Sequence, residues 1–488
     1  MSLSGKIKNA GKWQSFSVFS LNVLQILYFS IMTRLLFKED YGLMAIVNAI
    51  IGIGNIFIQG GMGAALMQRK EINNKHINGA LQTSLLLGVI LYVIFYIMAP
   101  SIASAYNDLR LDNLIKVSCL NLILLALSNI SINLLLKHYA FRNVAIVNII
   151  SNIIGYGTGV YLAMNGHGVW SLVIATLIAS LLSSIALFYL ASIKISLKVH
   201  YKEARELFGF GSGMMLLTFS NFLSRNGLNL IFGKIFAQDI LGVYERASRV
   251  KEIPSEFHAK IVNQVMFPVM SEIQDEKERL IKIYKMGLGF SNSIMIPTTV
   301  FLVCFSAEIV QILMGPNWPE AVLPLQIMFL ILTFSNAGKT TDVVIKAQGL
   351  VYKNVTRKYI FTVIIIVLSG ALGYFYGING AAVGIVISHF INYLMMIVLV
   401  KNVFKGSFLE YFYQPLVAGL KLGLYLGILI LAYTYVFDLW GKTDVTMFIV
   451  FTVGLLIVCG GLLKFKPSVF GQYLELAIKN MLGRNGQK

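Results

Sequence analysis

The stretch Leu241–Met270 reads LGVYERASRVKEIPSEFHAKIVNQVMFPVM. Glu245, Arg246, Arg249, Lys251, Glu252, Glu256 and Lys260 all lie in it, so hydropathy alone would not carry it across a membrane. Apolar runs flank it on both sides. At 100° per residue, Glu245, Arg249, Glu252, Glu256 and Lys260 fall within about 80° of one another, with Arg246 beside them. The pattern is a charged stripe on an otherwise apolar rod. A single Arg or Lys at the bilayer centre costs about 2.5–3.5 kcal/mol, so a stripe of this size cannot face lipid. If the rod spans, the stripe faces water, other protein groups or a charged substrate.

The rest of the chain says that it does span. Of 488 residues, 57% are hydrophobic and 13% charged, and mean hydropathy is +0.74. That is the composition of a polytopic membrane protein. The net charge of +18 then reads as cytoplasmic loops rich in Lys and Arg rather than as a nucleic-acid surface. Lys6 to Lys12 and the apolar run to Leu36 resemble a signal peptide, but the run is too long and has no small-residue cleavage site. A retained first helix is expected. Cys119, Cys304 and Cys459 sit singly in apolar runs and form neither a disulfide framework nor a metal spacing.

Apolar periodicity and length predict an all-α transmembrane fold of about 14 helices. The expected spans are 13–36, 41–66, 79–105, 114–136, 144–164, 169–191, 208–233, 240–270, 288–313, 321–345, 357–376, 380–400, 415–437 and 445–463. Most of the 40 Lys and Arg then fall in the N-terminal tail and in every second connector. Lys277, Arg279, Lys282 and Lys285, or Lys346, Lys353, Arg357 and Lys358, are examples. The alternate connectors hold only Arg34, Lys38, Arg110, Lys116, Lys234 and Lys442. This asymmetry places both termini in the cytoplasm. It survives only if 240–270 crosses; laying that segment on the surface as an amphipathic helix would put the basic C-terminal tail outside.

Short echoes mark an internal repeat. Phe37-Lys-Glu-Asp-Tyr-Gly42 returns as Phe236-Ala-Gln-Asp-Ile-Leu-Gly242. Lys137 with Phe141-Arg-Asn143 returns as Lys346 with Tyr352-Lys-Asn354, and Asn165-Gly-His-Gly-Val169 as Gly377-Ile-Asn-Gly-Ala381. Two six-helix halves in parallel orientation are expected, with a substrate site between them. The organisation predicted is an N-terminal lobe over 1–200, a C-terminal lobe over 201–405, and two further spans with a cytoplasmic tail over 406–488.

Polar residues cluster on the spans nearest that site. Thr218, Asn221, Arg225 and Asn229 share one face of the seventh. Ser15, Asn22 and Gln25 share one face of the first, and Asn336, Lys339 and Lys346 one face of the tenth, with Asp342 nearby. The candidate substrate-binding residues are therefore Arg225, Arg246, Arg249, Lys260, Lys339, Asn221, Asn229 and Asn336. Their positive surplus points to an anionic, hydrogen-bonding cargo, and Arg suits bidentate phosphate binding. The competing reading is mutual neutralisation, Glu245 with Arg249 and Glu256 with Lys260 one turn apart. His258 and His389 read as packed or solvated histidines. Pro254 and Pro297 read as kinks or hinges. No HExxH, CxxC or nucleophile elbow is present, and no enzymatic role is expected.

Thr33-Arg-Leu-Leu-Phe-Lys-Glu-Asp-Tyr-Gly-Leu43, Gly63-Ala-Ala-Leu-Met-Gln-Arg-Lys-Glu71 with His76, and Phe267-Pro-Val-Met-Ser-Glu-Ile-Gln-Asp-Glu-Lys-Glu-Arg-Leu280 carry a resemblance. The chain resembles oligosaccharide flippases of the Wzx type, in the colanic-acid-exporter-like branch of the multidrug/oligosaccharidyl-lipid/polysaccharide exporter superfamily. The resemblance implies two six-helix lobes in a V around a central cavity. It implies a cargo of undecaprenyl-pyrophosphate-linked oligosaccharide, flipped to the outer leaflet of the bacterial inner membrane by a monomer with no cofactor. Coupling to H+ or Na+, and partnership with a polysaccharide polymerase and a chain-length regulator, would follow. A drug antiporter of the same superfamily is the alternative; the absence of an acidic residue in the first span counts against it.

Overall fold

A computed structural model describes residues 3–59, 62–69, 72–194, 196, 198, 219, 222–224, 226–348, 351–404, 407–439, 446 and 448–455. Its ordered elements are all helical. The chain divides into two compact units, Met1–Glu245 and Arg246–Lys488. Eight stretches among the described residues are long and apolar enough to cross a membrane, and nine when a pair bent by 41° at Phe329–Ile331 counts as one span. The protein is thus a multi-pass membrane protein.

The first unit holds α1 (Leu3–Leu35), α2 (Lys38–Gln59), α3 (Met62–Gln68), α4 (Asn74–Ala105), α5 (Arg110–Ser118), α6 (Leu120–Lys137), α7 (Phe141–Met164) and α8 (Trp170–Leu190). It also holds α9 (226–235) and the first turns of α10 (Gln238–Glu272). Small residues let α7 and α8 approach: a Cβ on Gly155 would lie 2.7 Å from the Ala175 carbonyl oxygen, and one on Gly159 2.8 Å from the Ala175 Cβ. Close approach of this kind substitutes for the hydrophobic effect, which lipid does not supply. Tyr28 of α1 stacks on Tyr156 of α7, centroids 4.2 Å apart. Between α4 and α5, Arg110 bonds Asp108 at 2.7 Å and holds its carboxyl below the usual carboxylate range.

The second span, expected as one helix over 41–66, is instead α2 and α3. The sequence there is Gln59-Gly-Gly-Met62, where glycine gives up helix propensity. Donors from α6 reach the carbonyls at the ends of both pieces. Asn129 Nδ2 donates to the Ile58 carbonyl at 3.0 Å, and Lys137 Nζ to that of Leu66 at 2.8 Å and to that of Arg69. Side chains also hold the connector after α8. Asn78 Nδ2 donates to the Lys194 carbonyl at 2.8 Å while its Oδ1 accepts from Ser196 N at 2.7 Å; Gln82 Nε2 donates to the Ser196 and Lys198 carbonyls.

The second unit contains the rest of α10, then α11 (Lys277–Cys304), α12 (Ser306–Leu313), a 3-10 turn (Pro319–Ala321), α13 (Val322–Phe329), α14 (Ile331–Ala347), α15 (Val351–Phe404), α16 (Phe408–Leu439) and α17 (448–455). Its core gathers Leu280, Tyr284 and Leu288 of α11, Ala337 and Val344 of α14, and Tyr393 and Ile397 of α15, with Tyr411 of α16. Gly419 lets α16 close on the Asn292 carbonyl of α11, where a Cβ would lie 2.5 Å away.

Two boundaries differ from expectation. The ninth span begins at Lys277 rather than 288 and ends at Cys304, with Ser306–Leu313 a separate helix. Lys277, Arg279, Lys282 and Lys285 therefore stand on the first turns of a helix, not in a connector. Leu280, Tyr284 and Leu288, four apart, bury one face, with Arg279, Lys282 and Lys285 turned away from it. Arg357, read as a connector residue, lies inside α15 and is 6% exposed. Alpha-helix 15 itself holds two spans: Gly377 breaks it at φ 65°, a conformation glycine adopts without a Cβ penalty. The second half returns on the first, with Gly380 against the Leu372 carbonyl and Gly384 against Ser369. The expected span 208–233 lies outside the described residues up to 218, as does 445–463 beyond 455. Helix α10 runs without interruption through Pro254.

Candidate functional site

Helix α10 carries most of its charges into the second unit, from Arg246 onward. Arg246, Arg249, Lys251, Glu252, Ser255 and Glu256 are all half-buried. Arg249 Nη1 lies 3.3 Å from Glu252 Oε2, with the two side chains 35% and 25% exposed. This is a three-residue spacing, which the helix makes adjacent as readily as four. The mutual-neutralisation reading paired Arg249 with Glu245, one turn before it. Arg249 is thus steered by an acid yet keeps part of its guanidinium accessible.

Helix α14 supplies the next wall. Lys339 Nζ donates to the Ser255 carbonyl at 2.7 Å and lies 2.6 Å from Ser255 Oγ, with Asn336 Oδ1 at 3.4 Å. Asn336 is 1% exposed, and its amide nitrogen donates to the Leu332 carbonyl at 2.8 Å. Both ends of this amide are engaged, so it orients Lys339 and does not face solvent. Behind it, Thr340 Oγ1 reaches the Asn336 carbonyl at 3.4 Å and Ser291 Oγ at 3.5 Å. His258 Nε2 bonds the same Ser291 hydroxyl. These groups are buried, and low local dielectric makes each such bond count for more.

A second polar cluster joins α14 to both halves of α15. Arg357 donates from Nε and Nη2 to Asn354 Oδ1 at 3.1 and 2.8 Å, and from Nη1 to Asn392 Oδ1. Asp342 Oδ1 lies 4.0 Å from Nη2 and accepts from Asn354 Nδ2 at 2.5 Å. The planar guanidinium meets acceptors from two directions, which an ammonium could not match.

Of the residues expected to bind cargo, Arg246, Arg249, Lys339 and Asn336 share the second unit. Asn229 stands half-buried on α9 of the first unit. Arg225 and Asn221 lie outside the described residues, as does the side chain of Lys260. Sequence reasoning missed Ser255 and the Arg357 cluster. Ser255 lies about 60° off the edge of the α10 stripe, a turn after Lys251 and a turn before Ala259, and its hydroxyl gave no periodic signal. Arg357 follows Asn354 at a helical interval, but nothing local announces Asp342 or Asn392.

Against known proteins, the chain is similar to the lipopolysaccharide biosynthesis protein WzxC of Escherichia coli K12, 22% identical over 443 residues that cover 89% of this chain and 88% of the relative. Its fold is similar to that of the lipid II flippase MurJ in an inward closed conformation: TM-score 0.72, 19% identity, 96% of this chain and 98% of that one. An inward-facing multidrug resistance MATE transporter of the MOP superfamily matches with TM-score 0.62 and 18% identity, over 79% of this chain and 96% of that one. A family model described as polysaccharide biosynthesis protein matches residues 31–323. With more than half of its length matched, the chain belongs to the polysaccharide biosynthesis protein family.

Proposed function

We propose that the protein flips lipid-linked oligosaccharide units from the cytoplasmic to the outer leaflet of the bacterial inner membrane, by alternating access, for surface polysaccharide synthesis. The observation that carries the reading is the charged α10: a 35-residue helix, long enough to cross at about 1.5 Å per residue, with Arg246, Arg249 and Lys251 half-buried among apolar helices. Support comes from the family, from a relative named for lipopolysaccharide biosynthesis and from a structural neighbour named as a lipid II flippase. The cargo is read as undecaprenyl-pyrophosphate-linked. Arg225, Arg246, Arg249 and Lys260 would hold the phosphates, since charge-assisted bonds from Arg forks suit that group. Asn221 and Asn229 would meet sugar hydroxyls. Lys339 adds positive potential from α14 while Asn336 orients it.

The distribution of Lys and Arg supports a cytoplasmic position for both termini. Binding and movement, not bond-making, is the work assigned to these residues. Dependence on a gradient of H+ or Na+, and contact with a polymerase and a chain-length regulator, belong to the same proposal. The drug-antiporter alternative draws only on a shared fold, which hosts several activities, and α1 carries no Asp or Glu. The test is reconstitution into vesicles with a fluorescent pyrophosphate-linked oligosaccharide lipid in one leaflet. The expected result is protein-dependent exposure of the sugar to a membrane-impermeant quencher on the other side. Cargo that stays in its original leaflet, alongside drug-driven ion flux, would replace this reading with the antiporter.

A further inference from the structure

The surroundings of Lys339 suit a monovalent cation as well as they suit a lysine. Its ammonium has three N–H donors, and its contacts include three oxygens: the Ser255 carbonyl at 2.7 Å, Ser255 Oγ at 2.6 Å and Asn336 Oδ1 at 3.4 Å. All three are neutral. A carbonyl, a hydroxyl and an amide oxygen are the donor types that replace the water shell of a potassium or ammonium ion, whereas divalent ions call for carboxylates. The cradle is also built rather than superficial. Asn336, Thr340 and Ser291 are 1%, 0% and 2% exposed, and the Thr340 and Ser291 hydroxyls lie 3.5 Å apart behind it. Its parts come from α10, α11 and α14, each fixed by packing in the core of one unit.

We propose that Lys339 is a tethered cation filling an oxygen cradle formed by Ser255 and Asn336, and that without the ammonium this cradle binds a free monovalent cation of similar size, K+ or NH4+. The oxygens favour a positive charge, because dipoles converging on a half-buried space are otherwise poorly compensated. The lysine supplies that charge covalently. It follows that this place draws no ion from a transmembrane gradient in the native chain, whatever other sites do. The inference stands on the geometry of one unit and does not depend on the nature of the cargo.

The test compares thermal unfolding of purified wild type, Lys339→Ala and Lys339→Met in choline, NaCl, KCl and NH4Cl at equal ionic strength. Removal of the ammonium in Lys339→Ala opens the cradle. Its melting temperature should rise by about 3 °C or more on replacing choline by K+ or NH4+, as expected when a ligand binds only the folded form well above its Kd. Wild type should move by less than about 1 °C, and so should Lys339→Met, whose thioether chain fills the space. If Lys339→Ala does not accumulate, Lys339→Ser carries the same expectation, with an added hydroxyl facing the cradle. Adding Asn336→Leu to Lys339→Ala should abolish the cation effect. The inference is overturned if the alanine or serine variant melts equally in choline and K+, or if wild type shows the same K+-specific rise. Neither result would bear on whether cargo is flipped, which the vesicle assay reads separately.

Discussion

Gly42 and Gly242 cross with their backbones in contact. A Cβ on Gly42 would fall 1.9 Å from the Gln238 carbonyl oxygen, and one on Gly242 would fall 1.9 Å from that of Lys38 and 3.1 Å from Gly42 N. Each glycine thus rests on the first residue of the other's helix, α2 or α10. The contact is reciprocal, Lys38 and Gln238 having the same separation along the chain as Gly42 and Gly242. Alanine at either position has no room, since the obstacle is main chain and not a flexible side-chain end. We expect Gly42→Ala and Gly242→Ala each to destabilise by about 1–3 kcal/mol, the usual cost of overpacking. The double variant should lose less than the sum, because the first displacement makes space for the second. Thermal unfolding of the four proteins completes the cycle, and full additivity would refute the shared contact.

The connector after α8 gives a separate expectation. Asn78 is 2% exposed and bonds both Lys194 and Ser196 main-chain groups. Asn78→Leu would remove both bonds, at about 0.5–1.5 kcal/mol each, and leave the Lys194 carbonyl and the Ser196 N–H to water. Lys194 and Lys198 should then be cut by trypsin several-fold faster than in wild type. Gln82→Leu, whose bonds are more exposed, should change the rate less. Equal rates in all three would mean that the amides do not hold this segment.

These two cases show what was readable in the chain and what was not. Apolar runs of span length gave the all-helical membrane fold, because bilayer thickness forces that signal into sequence. The Gly42 and Gly242 echo was visible as a motif, yet the contact between them depends on tertiary packing. Charge was the poorer guide to boundaries. Lys277 to Lys285 looked like a loop, but a helix continues past the apolar core whenever one face stays buried, as Leu280 and Tyr284 do. Arg357 looked like another loop cation because its acceptors, Asp342 and Asn392, are brought to it only by the folding of α14 and α15. In the site, the stripe on α10 was legible from period alone. The Ser255–Lys339 bond, 84 residues apart, was not.

Arg357 should therefore behave as a structural cation. Arg357→Met leaves Asp342 and two amides without their guanidinium, and breaking a buried charged network in this way costs about 3–5 kcal/mol. Arg357→Lys should recover little, since one ammonium cannot reach Asn354 and Asn392 as a planar fork does. The double variant Arg357→Met with Asp342→Asn should be more stable than Arg357→Met alone, because the carboxylate that has lost its neighbouring guanidinium is gone. Protein yield and melting temperature read all three. A fully stable Arg357→Lys would assign the cluster's strength to charge alone.

Ser271 lies just after the charged stripe and within α10. If α10 crosses the membrane, the residue after it shares a side with the C-terminal tail. Single cysteines placed at Ser271 and in the tail of a protein otherwise free of cysteine should label together with an impermeant maleimide, both only after the cells are opened. Opposite labelling would turn α10 into a surface helix and remove the charged wall from the membrane interior.

Arg249 is where the two readings of the stripe separate. Its 3.3 Å contact with Glu252 could be the whole of its work, with the pair merely neutralising itself in the membrane. In that case Glu252→Gln and Arg249→Ala should do equal harm, since each breaks the same pair. If Arg249 instead holds a phosphate and Glu252 only aims it, the two diverge. Arg249→Ala should reduce surface polysaccharide at least tenfold at normal protein level, about 1.4 kcal/mol or more of lost cargo binding. Glu252→Gln frees the guanidinium, still charged, and should retain most export. Arg249→Lys keeps charge but not the bidentate fork, so it should fall between them. Measuring polysaccharide per molecule of membrane-inserted protein separates these effects from folding, and equal losses in Glu252→Gln and Arg249→Ala would return the pair to a structural role.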